Sequence, residues 1–144
     1  MSDDHLAQNR ASRERLAAVI ARLGERTIVL SDGWTAAALL GHLAFWDRFA
    51  ASRLESYLRD RKPMVFYDDA FFEHINAAGL PQWTATPLDA AAADATGSAD
   101  AADRLIAKLS AEQLAAIAAL GRPRLLDRSG HRNLHLDQLE RALE

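Results

Sequence analysis

The chain has 144 residues, enough for one domain spanning 1–144 with its own core and no need of a disulfide or metal staple. A hydrophobic content of 49%, long alanine runs and few Gly and Pro favour helices, while the lack of cysteine excludes disulfides, thiolate metal sites and thiol redox chemistry. The formal net charge is -3, with 17 Lys and Arg scattered among 20 acids, so no basic block points to nucleic acid. In chain order, Leu6, Leu16, Val19, Ile20 and Leu23 recur at spacings of three and four, an amphipathic helix that Gly24 and the stretch Thr27-Ile28-Val29 loosen. Ser31-Asp32-Gly33-Trp34 is turn chemistry, a tight link to the next helix, and the Thr35 hydroxyl can cap that helix. From Ala36 to about Arg61, Leu39, Leu40, Leu43, Phe45, Trp46, Phe49, Leu54 and Leu58 keep helical spacing, with Pro63 beyond as a stop.

An aromatic segment, Phe66 to Ala78, predicts a crossing helix that ends at Gly79-Leu80-Pro81. The alanine-rich run from Leu88 to Leu109 predicts a long helix, bent or interrupted at Gly97-Ser98. Ser110 followed by Gln113 has capping-box spacing and opens a short helix, Ala111 to Leu120, closed by Gly121 and Pro123. Ser129 can cap a last helix from Gly130 to about Leu143. The unequal links suit an all-α four-helix bundle with long crossover connections. Every apolar run is too short or too interrupted to span a bilayer, and Met1-Ser2-Asp3-Asp4 is acidic where a secretory signal is basic, so a cytoplasmic protein with no membrane partner is expected.

Five histidines carry most of the chemistry. His131 and His135 stand four apart, so on a helix their rings share a face about 6 Å apart along the axis, the spacing by which one helix can chelate one ion. His42 lies within Gly41-His42-Leu43-Ala44-Phe45-Trp46, where an imidazole needs a partner for its nitrogens; a metal is one such partner, a backbone carbonyl or a serine another. Histidine pairs at this spacing also occur by chance on many surface helices, and taken alone His131 and His135 read more readily as such a pair. His74 reads as a surface residue or a hydrogen-bond donor behind the site, and His5 as part of a frayed terminus.

Asp32-Gly33-Trp34-Thr35 followed by Leu39-Leu40-Gly41-His42-Leu43-Ala44-Phe45-Trp46-Asp47-Arg48 resembles the second helix of the DinB-like metalloenzymes. That four-helix superfamily includes the N-terminal domain of mycothiol-dependent maleylpyruvate isomerase. Gly130-His131-Arg132-Asn133-Leu134-His135-Leu136-Asp137-Gln138-Leu139-Glu140 resembles its last helix, with a weaker likeness at Asn76, Pro81 and Trp83. The resemblance implies a three-histidine site of His42, His131 and His135 for a divalent ion, zinc or nickel, with positions left open to water or substrate. It further implies a low-molecular-weight thiol such as mycothiol or bacillithiol, and a thiol-dependent transferase or isomerase acting on a small-molecule substrate. The chain carries no counterpart of the C-terminal domain of the full maleylpyruvate isomerases, which counts against that particular reaction.

Substrate is expected against some of Phe45, Trp46, Phe49, Phe71, Phe72 and Trp83, all of which also read as bundle core. Asp47 and Asp137 fall off the ligand faces of their helices and read as solvated charges. A second reading is a non-catalytic, stress-related metal-binding bundle that dimerises through an apolar face; a homodimer suits either reading. A fourth protein ligand from Glu73 or His74 would close the site and favour the second.

Overall fold

The computed structural model describes residues 4–144 and is all-α; Met1, Ser2 and Asp3 of the acidic N-terminal stretch lie outside the described residues. Its helices are α1 (Asp4–Leu23), α2 (Ala36–Asp60), α3 (Asp69–Ala85), α4 (Leu88–Ala107), α5 (Ala111–Ala118) and α6 (Ser129–Leu143), with a 3₁₀ turn at Pro123–Leu125. Helices α1, α2, α4 and α6 form the bundle: α1 packs on α4 and α6, and α2 packs on α4 and more lightly on α6. Helix α3 lies across α2. Among the described residues no helix is long and apolar enough to cross a membrane.

Apolar residues at helical spacing put one core between the long helices, where Leu16, Val19 and Leu23 meet Leu39, Leu40, Leu43, Leu136 and Leu139. A second cluster, Leu54, Ile106, Ile117, Leu125 and Leu126, closes the other end. Ala91, Ala95, Ala99 and Ala102 form a buried stripe on α4, small enough for the backbones of α2 and α4 to approach closely. That stripe explains why α4 runs unbroken through Gly97 and Ser98, against the expected interruption. A mid-helix glycine costs only about 1 kcal/mol, less than the packing around it returns. The hydroxyl of Ser98 is buried and accepts from Arg48 Nη1 (3.0 Å).

The caps follow the sequence closely. Thr35 Oγ1 accepts from Ala38 N (3.0 Å), and both halves of the Ser110–Gln113 capping box form. Ser129 differs: it lies inside α6, and Asp127 Oδ1 accepts from its backbone N–H (2.9 Å). The link between α1 and α2 is not a single tight turn but twelve residues, 24–35, pinned by an antiparallel bridge between Val29 and Thr35.

The third helix departs most from expectation. It starts at Asp69 because the Asp68 side chain caps it, accepting from Phe71 N (2.9 Å), which leaves Phe66 and Tyr67 on the irregular segment that precedes it. It also runs through Pro81 to Ala85. The buried Trp83 anchors this extra turn, its indole lying against Gly41 and Gly79, where any Cβ would sit 3.0 and 2.4 Å from it. Tertiary packing thus outweighs the local cost of a helical proline.

Candidate metal centre

Thr35 starts α2 so that His42 falls two turns in, on the side facing α6. Four-residue spacing on α6 then turns His131 and His135 back toward it. The three side chains converge: His42 Nε2 lies 3.1 Å from His131 Nε2 and 3.2 Å from His135 Nε2, and one ring nitrogen of each lies within 4.8 Å of the others. The His135 Nδ1–H donates to Gln138 Oε1 (2.8 Å), which fixes the tautomer and aims the Nε2 lone pair at the centre. Trp34, Trp46 and Trp83 enclose the His42 ring, edge to face at 5.4, 6.4 and 5.6 Å between centroids.

Burial is the leading cause holding all three imidazoles neutral. It pushes His42 down to about 4, with His135 adding to the shift, and His131 down to about 2, with His135 and His42 adding; His135 is lowered in the same direction. Neutral imidazoles are the ligating form, so no proton need leave before a cation binds.

A divalent ion fits this donor set. Three nitrogens about 2.0–2.1 Å from a tetrahedral ion stand about 3.3 Å apart, close to the two spacings observed. Glu73 and His74 are exposed on α3 and are not part of the group. His5 sits in the first turn of α1, half-buried beside a separate depression that Asp127 also lines, and not in a frayed end.

Behind the histidines is a buried ion-pair network. Asp47 is 2% exposed, contrary to its reading as a solvated charge: its Oδ1 accepts from Arg128 Nε (3.0 Å) and its Oδ2 from Arg132 Nε (3.1 Å). Arg132, between the two α6 histidines, also forks onto both oxygens of Asp103 at 2.9 Å. This network ties the start of α6 to the middle of α2, fixing the histidines of the two helices against each other. Asp137 is exposed as expected and pairs with Arg15 (2.6 Å).

The histidines open on a cavity of about 560 Å³. Trp46, Phe49 and Phe72 line it, whereas Phe45, Phe71 and Trp83 are not among its lining residues; Trp83 instead backs His42. Asn76 also lines it and accepts from Trp46 Nε1 (2.8 Å). Sequence reasoning missed Trp34, Phe66, Tyr67 and the arginines Arg53, Arg122 and Arg124, all on the cavity wall. Arg53 could have been found by extending the α2 stripe of His42, Trp46 and Phe49 by one more turn.

The molecule is thus an all-α bundle with a cleft of three histidines between its second and last helices. The mycothiol maleylpyruvate isomerase N-terminal domain family matches residues 7–135, and the chain belongs to that family, one of the DinB-like superfamily. Comparison with curated proteins gives no match, and neither does comparison with solved structures.

Proposed function

We propose that His42, His131 and His135 hold one divalent ion, zinc or nickel, and that the adjoining cleft is where a low-molecular-weight thiol and a small organic substrate meet in a thiol-dependent transfer or isomerisation. The observation that carries this reading is the convergence of three neutral imidazoles from two helices at the edge of an open cavity, with His42 Nε2 at ion-ligand spacing from both His131 and His135. When bound, the ion supplies a Lewis acid that lowers the pKa of a coordinated thiol or water and so activates it as a nucleophile. The chain's own parts are to bind and to orient. Gln138 holds His135 in the ligating tautomer, the Asp47–Arg132 pair fixes the approach of α6 to α2, and Trp46, Phe49 and Phe72 exclude water from the substrate's apolar body. The protein offers no cysteine, so the sulfur comes from an external thiol, and the family's name specifies mycothiol.

The test is metal content by mass spectrometry on the wild type and on His42→Ala, His131→Ala and His135→Ala, each after reconstitution with zinc or nickel. One ion per chain in the wild type, and none in variants that keep their helical circular dichroism, supports the centre and justifies a turnover screen with mycothiol and bacillithiol. A wild type that takes up neither metal removes the reading.

A further inference from the structure

Helix α2 presents a single stripe to the cavity: His42, Trp46, Phe49 and Arg53, at intervals of four, three and four residues. The stripe passes from an imidazole through an indole and a phenyl to a guanidinium, and eleven residues carry it about 16 Å along the helix axis. At the far end Arg53 does not stand alone. Its guanidinium lies 5.3 Å from the ring centroids of Phe49 and Phe66 and 5.9 Å from that of Tyr67, and Arg122 lies 4.4 Å from the same Phe66 ring. Arg124 lines the cavity as well.

None of Arg53, Arg122 and Arg124 is ion-paired with a carboxylate among the described residues, although seven other arginines are. Arg128 also borders the cavity, but Asp47 neutralises it. The one carboxylate on the wall, among the described residues, is Asp32, which lies near His135 at the opposite end. In a chain of net charge -3, this cavity therefore ends in a concentration of uncompensated positive charge. Burial lowers the Arg53 pKa and the nearby Arg122 lowers it further, against an opposing effect of Tyr67, so a bound anion would relieve both the burial and the repulsion. The Arg53 side chain also donates to the Val65 carbonyl, which fixes it against the Phe66–Tyr67 segment rather than leaving it free in solvent.

We infer that Arg53 and Arg122 form an anion subsite, and that the cleft takes an organic acid whose carboxylate or phosphate sits on these guanidiniums while its flat or apolar body lies along Trp46, Phe49 and Phe72 toward the three histidines. The inference rests on reading this cleft as the ligand site. It does not depend on the ion: the carboxylate binds at the arginine end, leaving the histidine end for the reacting group. Guanidinium–anion hydrogen bonds are charge-assisted and each is worth about 1.5–3 kcal/mol, so an acid should exceed its neutral isostere by at least about tenfold.

The experiment measures binding of 4-phenylbutyrate, 4-phenylbutanol and 4-phenylbutylamine by calorimetry, to zinc-reconstituted and to chelator-treated wild type and to Arg53→Gln and Arg122→Gln. Arg122 is exposed and its side chain makes no hydrogen bond among the described residues, so its variant tests the subsite even where Arg53→Gln disturbs the 61–68 segment. The expected result is an acid preference of about tenfold or more in wild type with and without metal, falling below about threefold in Arg122→Gln. Equal binding of the three compounds, including no measurable binding, overturns the inference. So does a preference that vanishes with chelator yet survives in Arg122→Gln, since the carboxylate would then sit on the ion. That last outcome leaves the metal centre standing, a preference indifferent to metal but lost in Arg122→Gln leaves the anion subsite standing whatever the histidines hold, and a preference that survives both chelator and Arg122→Gln overturns the inference.

Discussion

Asp47 shows how much one buried carboxylate can govern. It is 2% exposed, and both its oxygens accept from arginines of the last helix. Removing one partner of a buried ion pair leaves an uncompensated charge and costs about 3–5 kcal/mol, whereas a half-exposed pair is worth under about 1 kcal/mol. Asp47→Asn should therefore lower the urea unfolding free energy by about 3–5 kcal/mol, while Asp137→Asn, which breaks only the exposed pair with Arg15, should change it by less than about 1 kcal/mol. Equal effects of the two substitutions would contradict the network. The three histidines were legible as one group through the family resemblance, since the spacing of His131 and His135 and the apolar setting of His42 each also fit a surface pair and a core histidine. The sequence hid Asp47, whose partners lie 81 and 85 residues away. Arg53, Arg122 and Arg124 were hidden for the same reason, because a local reading solvates every arginine and only the tertiary fold sets three of them on one cavity.

At the scale of elements, caps and apolar periods carried the boundaries of α1, α2, α5 and α6 to within a residue or two, since those signals act within one turn of helix. Helix α3 and the unbroken α4 were beyond them, because each is decided by what packs on it. Gly79 makes the point testable. An alanine is preferred to glycine in a helix by about 1 kcal/mol, yet a Cβ at position 79 would stand 2.4 Å from Trp83 Cζ2 and force the indole to move. Overpacking of a rigid, buried ring costs about 1–3 kcal/mol, so Gly79→Ala should destabilise the protein on balance. Because the same indole meets the His42 ring at 5.6 Å between centroids, zinc affinity measured by competition with a chromophoric chelator should fall as well. A variant as stable as wild type, with unchanged affinity, would mean that Trp83 gives way freely and does not hold His42.

Across the whole molecule the site sits at the thinnest joint of the bundle. Helix α6 packs mainly on α1 and only lightly on α2, so the three histidines and the Asp47 network supply much of what fixes those two helices together. The two apolar clusters do not include the histidines, and the bundle should stay folded without metal. An ion that binds only the folded state stabilises it by mass action, about 2.7 kcal/mol at a free concentration one hundred times the dissociation constant. Its effect need not be uniform, since opening of one lightly packed joint, here that of α6 with α2, costs less than global unfolding. Adding zinc should therefore raise amide-exchange protection most in α6, around His131 to Gln138, and much less in α4, which contributes no ligand. A general rise of equal size in α4 and α6 would show that the ion acts on the fold as a whole, whereas no change in α6 would show that no ion links it to α2.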